Sequence, residues 1–125
     1  MLSKNKMVKS ARKSIEMLYD GTCNVTISEK YTKPNGATVY RDIIQYENEP
    51  CRLSYSSSPS ATTTDANANV SQSIKLFVKP ELQIKAGSKI EVSQAGITKQ
   101  FISAGIPTMY FTHQEINLES EDKYA

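Results

Sequence analysis

The fold class predicted by the sequence is all-β dominated: a small β-barrel of about seven strands with an N-terminal amphipathic helix and a long polar inter-strand loop. Three observations carry that expectation. Apolar residues alternate with polar ones in short runs, as in Cys23, Val25 and Ile27 or Ile74, Leu76 and Val78, and a period of two marks strands with one buried face. Glycine-bearing turns separate the runs at Asn35-Gly36, Gly87 and Ala95-Gly96. Finally, 125 residues suffice for one modest core, and many short strands hide their edges most economically by closing on themselves.

The first twenty residues are the exception to the β pattern. Met7, Val8, Ala11, Ile15 and Leu18 recur at spacings of three and four with Lys and Arg between them, which is the period of an amphipathic helix. The helix is expected to close at Asp20-Gly21, where glycine accepts the left-handed conformation. Its apolar face suits either its own domain or a partner subunit. A first strand follows through Cys23, Val25 and Ile27, then a turn at Lys33-Pro34-Asn35-Gly36, then a return strand over about 37–46 with Val39, Ile43 and Ile44 as core candidates. Asn48, Glu49 and Pro50 are expected to break it.

Cys51, Leu53 and Tyr55 read as a third strand, and Ile74, Leu76 and Val78 as a fourth, stopped by Lys79-Pro80. The stretch between them, YSSSPSATTTDANANVSQS, has one charged side chain, Asp65. It predicts an extended loop over 56–71, far longer than the two to five residues of an ordinary hairpin and therefore functional or disordered. Ile90 and Val92 define the next strand, Ile97 to Ser103 the one after, and the last runs from about Met109 to Leu118 around Tyr110, Phe111 and Ile116. One barrel domain is thus expected over 21–119, between the helix at 1–20 and an acidic tail at 120–125.

Charge and composition exclude several function classes. A net charge of +2 is too small for a general nucleic-acid binder, although the basic helix could lie along phosphates and a nucleic-acid-binding barrel related in shape to OB-folds is the rival reading. Lys4, Lys6, Lys9, Arg12 and Lys13 precede the first acid, Glu16, whereas Glu115, Glu119, Glu121 and Asp122 crowd the other end. Such opposed ends suit copies that stack head to tail. The two cysteines, Cys23 and Cys51, are expected as free buried thiols of a reducing compartment. No apolar run reaches the ~18 residues that span a membrane.

Catalytic chemistry finds no support. The single histidine, His113, has no second imidazole for a His-rich metal site and is expected as a hydrogen-bonding or interface residue. Ser56 to Ser58 lack a nucleophile elbow, and Gly87, Gly96 and Gly105 are spaced as hairpin turns rather than as a phosphate cradle. A non-enzymatic protein without cofactor or metal is the expectation.

The order IKAGSKIEV, GITKQFISAGIP and THQEINL, within the stretch from Pro50 to Glu119, resembles the small head-to-tail connector proteins, also called head-closure or stopper proteins, of tailed phages and prophages of Gram-positive bacteria. Related chains also occur in headless phage-tail-like particles, where the resemblance implies a collar capping the tube. Ser88, where such proteins often carry Asp, is read as a surface turn position. The resemblance implies a homo-oligomeric ring, hexameric or dodecameric, in the neck or collar of a particle assembled in the bacterial cytoplasm. It would sit between an adaptor or portal-side protein and a tail terminator or tail-tube protein, with non-specific contact to DNA in the channel and no membrane. A tail terminator at the same junction is the alternative within this setting. Inter-subunit contacts are expected from Lys4, Lys9 and Arg12 on the helix and from Ser58, Pro59, Thr63, Asp65, Asn67 and Asn69 on the loop, which would either grip a neighbour or line the channel.

Overall fold

The computed structural model describes residues 4–59 and 70–121. Helix α1 (Lys4–Glu16) is followed by β1 (Gly21–Thr32), β2 (Thr38–Pro59), β3 (Val70–Val78), β4 (Lys89–Gln94), β5 (Ile97–Met109) and β6 (Gln114–Ser120). All neighbours pair antiparallel in the order β1-β2-β3-β6-β5-β4, and β4 returns to β1, so the sheet closes into a barrel. No helix of the described residues is long and apolar enough to cross a membrane.

The inward positions are those the alternation predicts. Cys23 and Val25 from β1, Cys51 and Leu53 from β2, Leu76 and Val78 from β3, Ile90 and Val92 from β4, Phe101 from β5, and Ile116 and Leu118 from β6 form one buried cluster. Between β3 and β4 the chain lays Leu82 and Ile84 into the same cluster. Tyr46 Oη accepts the Gln83 N–H at 3.0 Å, and the fully buried Gln114 side chain donates to the carbonyls of Lys79 (3.0 Å) and Leu82 (2.7 Å). These bonds hold the crossing segment over the upper end of the barrel, the end toward which β1 runs.

The expected third strand is the continuation of the second. β2 runs unbroken for 22 residues, because two register shifts opposite Cys23–Thr26 absorb Asn48 and its neighbours as bulges. Asn48 takes a left-handed conformation (φ 51°), and its N–H donates to Asn24 Oδ1 at 2.8 Å. Asparagine tolerates that conformation, so the triplet bends the strand rather than ending it. This merger leaves six strands among the described residues.

Four further expectations change. α1 ends at Glu16, not at Asp20-Gly21, and Gly21 is a buried first residue of β1 whose added Cβ would meet the Ser93 carbonyl oxygen at 2.9 Å. Its role is close approach of β1 to β4, and Gly21→Ala should destabilise the barrel by about 1–3 kcal/mol, read from the denaturant midpoint. The last strand is interrupted: Tyr110 to His113 form a turn, closed by the Tyr110 N–H on the His113 carbonyl at 2.9 Å. Ser88 is buried, not on the surface, and its hydroxyl donates to the Lys85 carbonyl at 2.7 Å beside Ser103, which does the same. Lastly, Val39 and Ile43 are only half-buried and Ile44 is exposed, outside the core.

Candidate functional site

Register fixes where the molecule leaves its barrel. β1 pairs with β4 only from Gly21 to Thr26, while its pairing with β2 continues to Thr32. Ile27–Thr32 and Thr38–Ile43 therefore project from the upper end as a two-stranded arm. At the lower end β3 pairs with β6 only from Ile74 to Val78, while its pairing with β2 extends to Val70 and Pro59. Ser56–Pro59 and Val70–Ser73 make a second arm.

That second arm replaces the ends of the expected loop. Ser58 and Pro59 are strand residues, facing Ser71 and Val70 across the ladder. Extended backbone rather than loop arises because Tyr55 to Ser58 keep period-two pairing with Ser71 to Ile74, and serine is no obstacle to an antiparallel ladder. Thr63, Asp65, Asn67 and Asn69 lie outside the described residues.

Where β2 leaves the barrel, a side chain stands in for the missing strand. β1 begins at Gly21, so Leu53 has lost its β1 neighbour. Gln94 fills the gap: its Oε1 accepts the Leu53 N–H at 2.8 Å and its Nε2 donates to the Leu53 carbonyl at 3.2 Å. The carboxamide thus reproduces both bonds of a peptide group. Next to it a groove of about 860 Å³ opens between the lower arm and β5, lined among others by Tyr55, Ile74, Lys99, Phe101 and Glu121. Lys99 Nζ lies 5.7 Å from the centre of the Tyr55 ring.

The helix lies at the barrel's periphery. α1 opens without an acidic residue in its first turn, so the charges there oppose the helix dipole, and thirteen residues are marginal for an isolated helix. Arg12 anchors it, pairing with Glu16 within the helix (2.8 Å) and with Glu81 on the barrel. The Glu81 and Glu16 carboxylates, in that order, push the guanidinium pKa upward. Lys9 is exposed, and Lys4 is the first helical residue. Met7 is more than half exposed and Val8 and Ile15 are only half-buried, so the helix does not fully bury its apolar face in its own domain. Of the three predicted helix contacts, the structure ties Arg12 to an intramolecular partner.

Tyr19 joins this helix to β1. Its hydroxyl is buried with no hydrogen-bond partner among the described residues, and burial, with Glu16 second, pushes its pKa from 10.0 up to about 12. The folded state therefore keeps the phenol proton after the unfolded chain has lost it. Stability from this group is full below pH 10 and falls as pH rises toward 12. Tyr19→Phe should flatten that alkaline decline in a pH series of urea midpoints, with little change at pH 7.

Cys23 and Cys51 are free and buried. Hydrogen bonding to Cys51, then burial, drives the Cys23 pKa upward, which keeps that thiol neutral and a poor nucleophile. His113 sits between Thr112 Oγ1 (2.9 Å from Nδ1) and Glu115 Oε2 (3.1 Å from Nε2), stacked on Tyr110 at 4.7 Å. This is the hydrogen-bonding role expected of it. Among the described residues no group of three or more His, Cys, Asp or Glu side chains could hold a metal ion.

The architecture defines a class: a closed antiparallel barrel whose longest strand supplies an arm at each end. A solved structure shares this fold, protein xkdH of the phage-like element PBSX from Bacillus subtilis, with a TM-score of 0.52 and 11% sequence identity over 82% of this chain and 94% of that one. No family model matches the chain, and no curated protein matches it.

Proposed function

We propose that this chain is a structural, non-enzymatic connector subunit of a phage or phage-derived particle. In this reading it forms a ring in the neck or collar, between an adaptor or portal-side protein and the tail terminator or tail tube, or caps the tail tube of a headless particle. The observation that carries the reading is β2. One strand of 22 residues, about 70 Å if fully extended at about 3.3 Å per residue, runs from the upper arm through the barrel wall into the lower arm.

A connector must hold two layers at a set distance. A rigid barrel with a projection at each end can touch both, and a strand continuous between them carries load through backbone hydrogen bonds instead of side-chain contacts alone. The shared fold with a protein of a phage-like element supports the setting. Deleting the gene from the phage or prophage that encodes it should leave separate heads and tails, or tails without a collar, in electron micrographs. Joined or collared particles at normal yield would refute the connector role.

A further inference from the structure

The upper end of the barrel carries two exposed apolar features on opposite flanks. In the closed order β1-β2-β3-β6-β5-β4 the β1–β2 hairpin stands three positions from the β6–β5 hairpin, across the barrel axis, and both hairpins turn at the upper end. The first is the arm, with Tyr40 (71% exposed) on one face and Tyr31 on the other. The second is the bend from β5 into β6. There a bulge between Ala104 and Thr108 throws Ile106 outward to 89% exposure, and Met109, Tyr110 and Phe111 (75%) follow it.

We propose that the β1–β2 arm of one copy packs on the β5–β6 bend of the next copy around the ring, a contact that rests on the connector reading above. Three observations select a second copy of this chain as the occupant. Donor and acceptor lie on opposite flanks of one end, so a contact between them is head-to-tail and repeats from copy to copy, as ring or filament assembly requires. The arm also has the length. Ile27–Thr32 extends past the last β1–β4 pair, a reach of about 20 Å at about 3.3 Å per residue.

Composition gives the third. Residues 105–112 contain no charged side chain, and Ile106, Met109, Tyr110 and Phe111 with Tyr40 match the centre of a protein interface, where aromatic residues and methionine are enriched and charges depleted. Outside an assembly, a two-stranded ribbon is marginally stable at best. A neighbour's bend beneath it supplies the layer that the arm lacks in its own chain. The Glu29–Arg41 pair (3.5 Å), on the face of the arm away from Tyr40, would remain outside the contact.

The test uses the full-length protein with Tyr40→p-benzoylphenylalanine, a substitution at an exposed position whose folding is verified by circular dichroism. Irradiated at high concentration, it should yield a covalent dimer whose junction joins residue 40 to residues 106–111 of the second copy. Ile106→Glu should lower that yield about tenfold, whereas Ile97→Glu, also exposed on β5 but outside the bend, should leave it unchanged. A junction at any other surface, or a protein that stays monomeric without crosslinks, overturns the proposal. Neither result bears on the connector reading, which is decided separately by the gene-deletion micrographs.

Discussion

Replacing Leu76 with alanine should lower the free energy of unfolding by about 3 kcal/mol, a large share of the roughly 5–15 kcal/mol that holds a domain together. Leu76 is fully buried on β3, and the register sets it directly opposite Leu53 of β2 on one side and Ile116 of β6 on the other. Three inward side chains thus form one row across the barrel wall. Truncating the middle one removes its transfer free energy and leaves a void that two hydrogen-bonded ladders prevent from collapsing. Urea titration should show the midpoint moving down with an unchanged slope. Leu76→Met, which conserves volume, should cost less than about 1.5 kcal/mol. A loss under about 1 kcal/mol for the alanine variant would mean that the interior is not closed at this row.

The same row shows what the sequence makes legible. Ile74, Leu76 and Val78 alternate with polar neighbours, and nothing but a strand with one buried face explains that pattern; likewise Ile90 and Val92, turned by Ala95-Gly96 with positive φ at both residues. Closure followed from the number of strands and their short connections. Alternation reports a face, however, and not what covers it. Val39 and Ile43 have the same period as Leu76 yet lie on an arm that projects past β4, so they read as core and are only half-buried.

Turns without glycine or proline were equally hidden. Tyr110 to His113 bend through one backbone hydrogen bond and the stacking of Tyr110 on His113, and a run of Tyr and Phe looks like strand on propensity alone. The sequence therefore predicts strand at Tyr110 and Phe111, where the structure has an exposed apolar bend. Long-range partners were beyond reach for a different reason. Arg12 on the helix reads from the sequence as an inter-subunit contact, and its intramolecular carboxylate partner Glu81 is brought there only by the path of the chain between β3 and β4.

That crossing path depends on one polar side chain. Gln114 is 1% exposed, and its two amide hydrogens satisfy the carbonyls of Lys79 and Leu82, so it ties down the segment that places Leu82 and Ile84 in the core. Gln114→Leu keeps the volume and removes both donors. The Leu82 carbonyl then stays buried without this donor, and losing the pair of bonds should cost about 2–6 kcal/mol at about 1–3 kcal/mol per orphaned group.

Gln114→Glu gives a sharper result because its effect depends on pH. An ionised carboxylate has no donor to offer and carries a charge into the core, whereas the protonated acid keeps one O–H for a carbonyl. Burial raises the folded-state pKa of this glutamate above the ordinary value of about 4.3. The unfolded chain therefore releases the proton first, and the variant loses stability as pH rises through and above about 4.3. Urea midpoints measured from pH 4 to pH 8 should fall for Gln114→Glu relative to the unsubstituted protein, and a parallel pair of curves would show that the side chain does not bridge the two carbonyls.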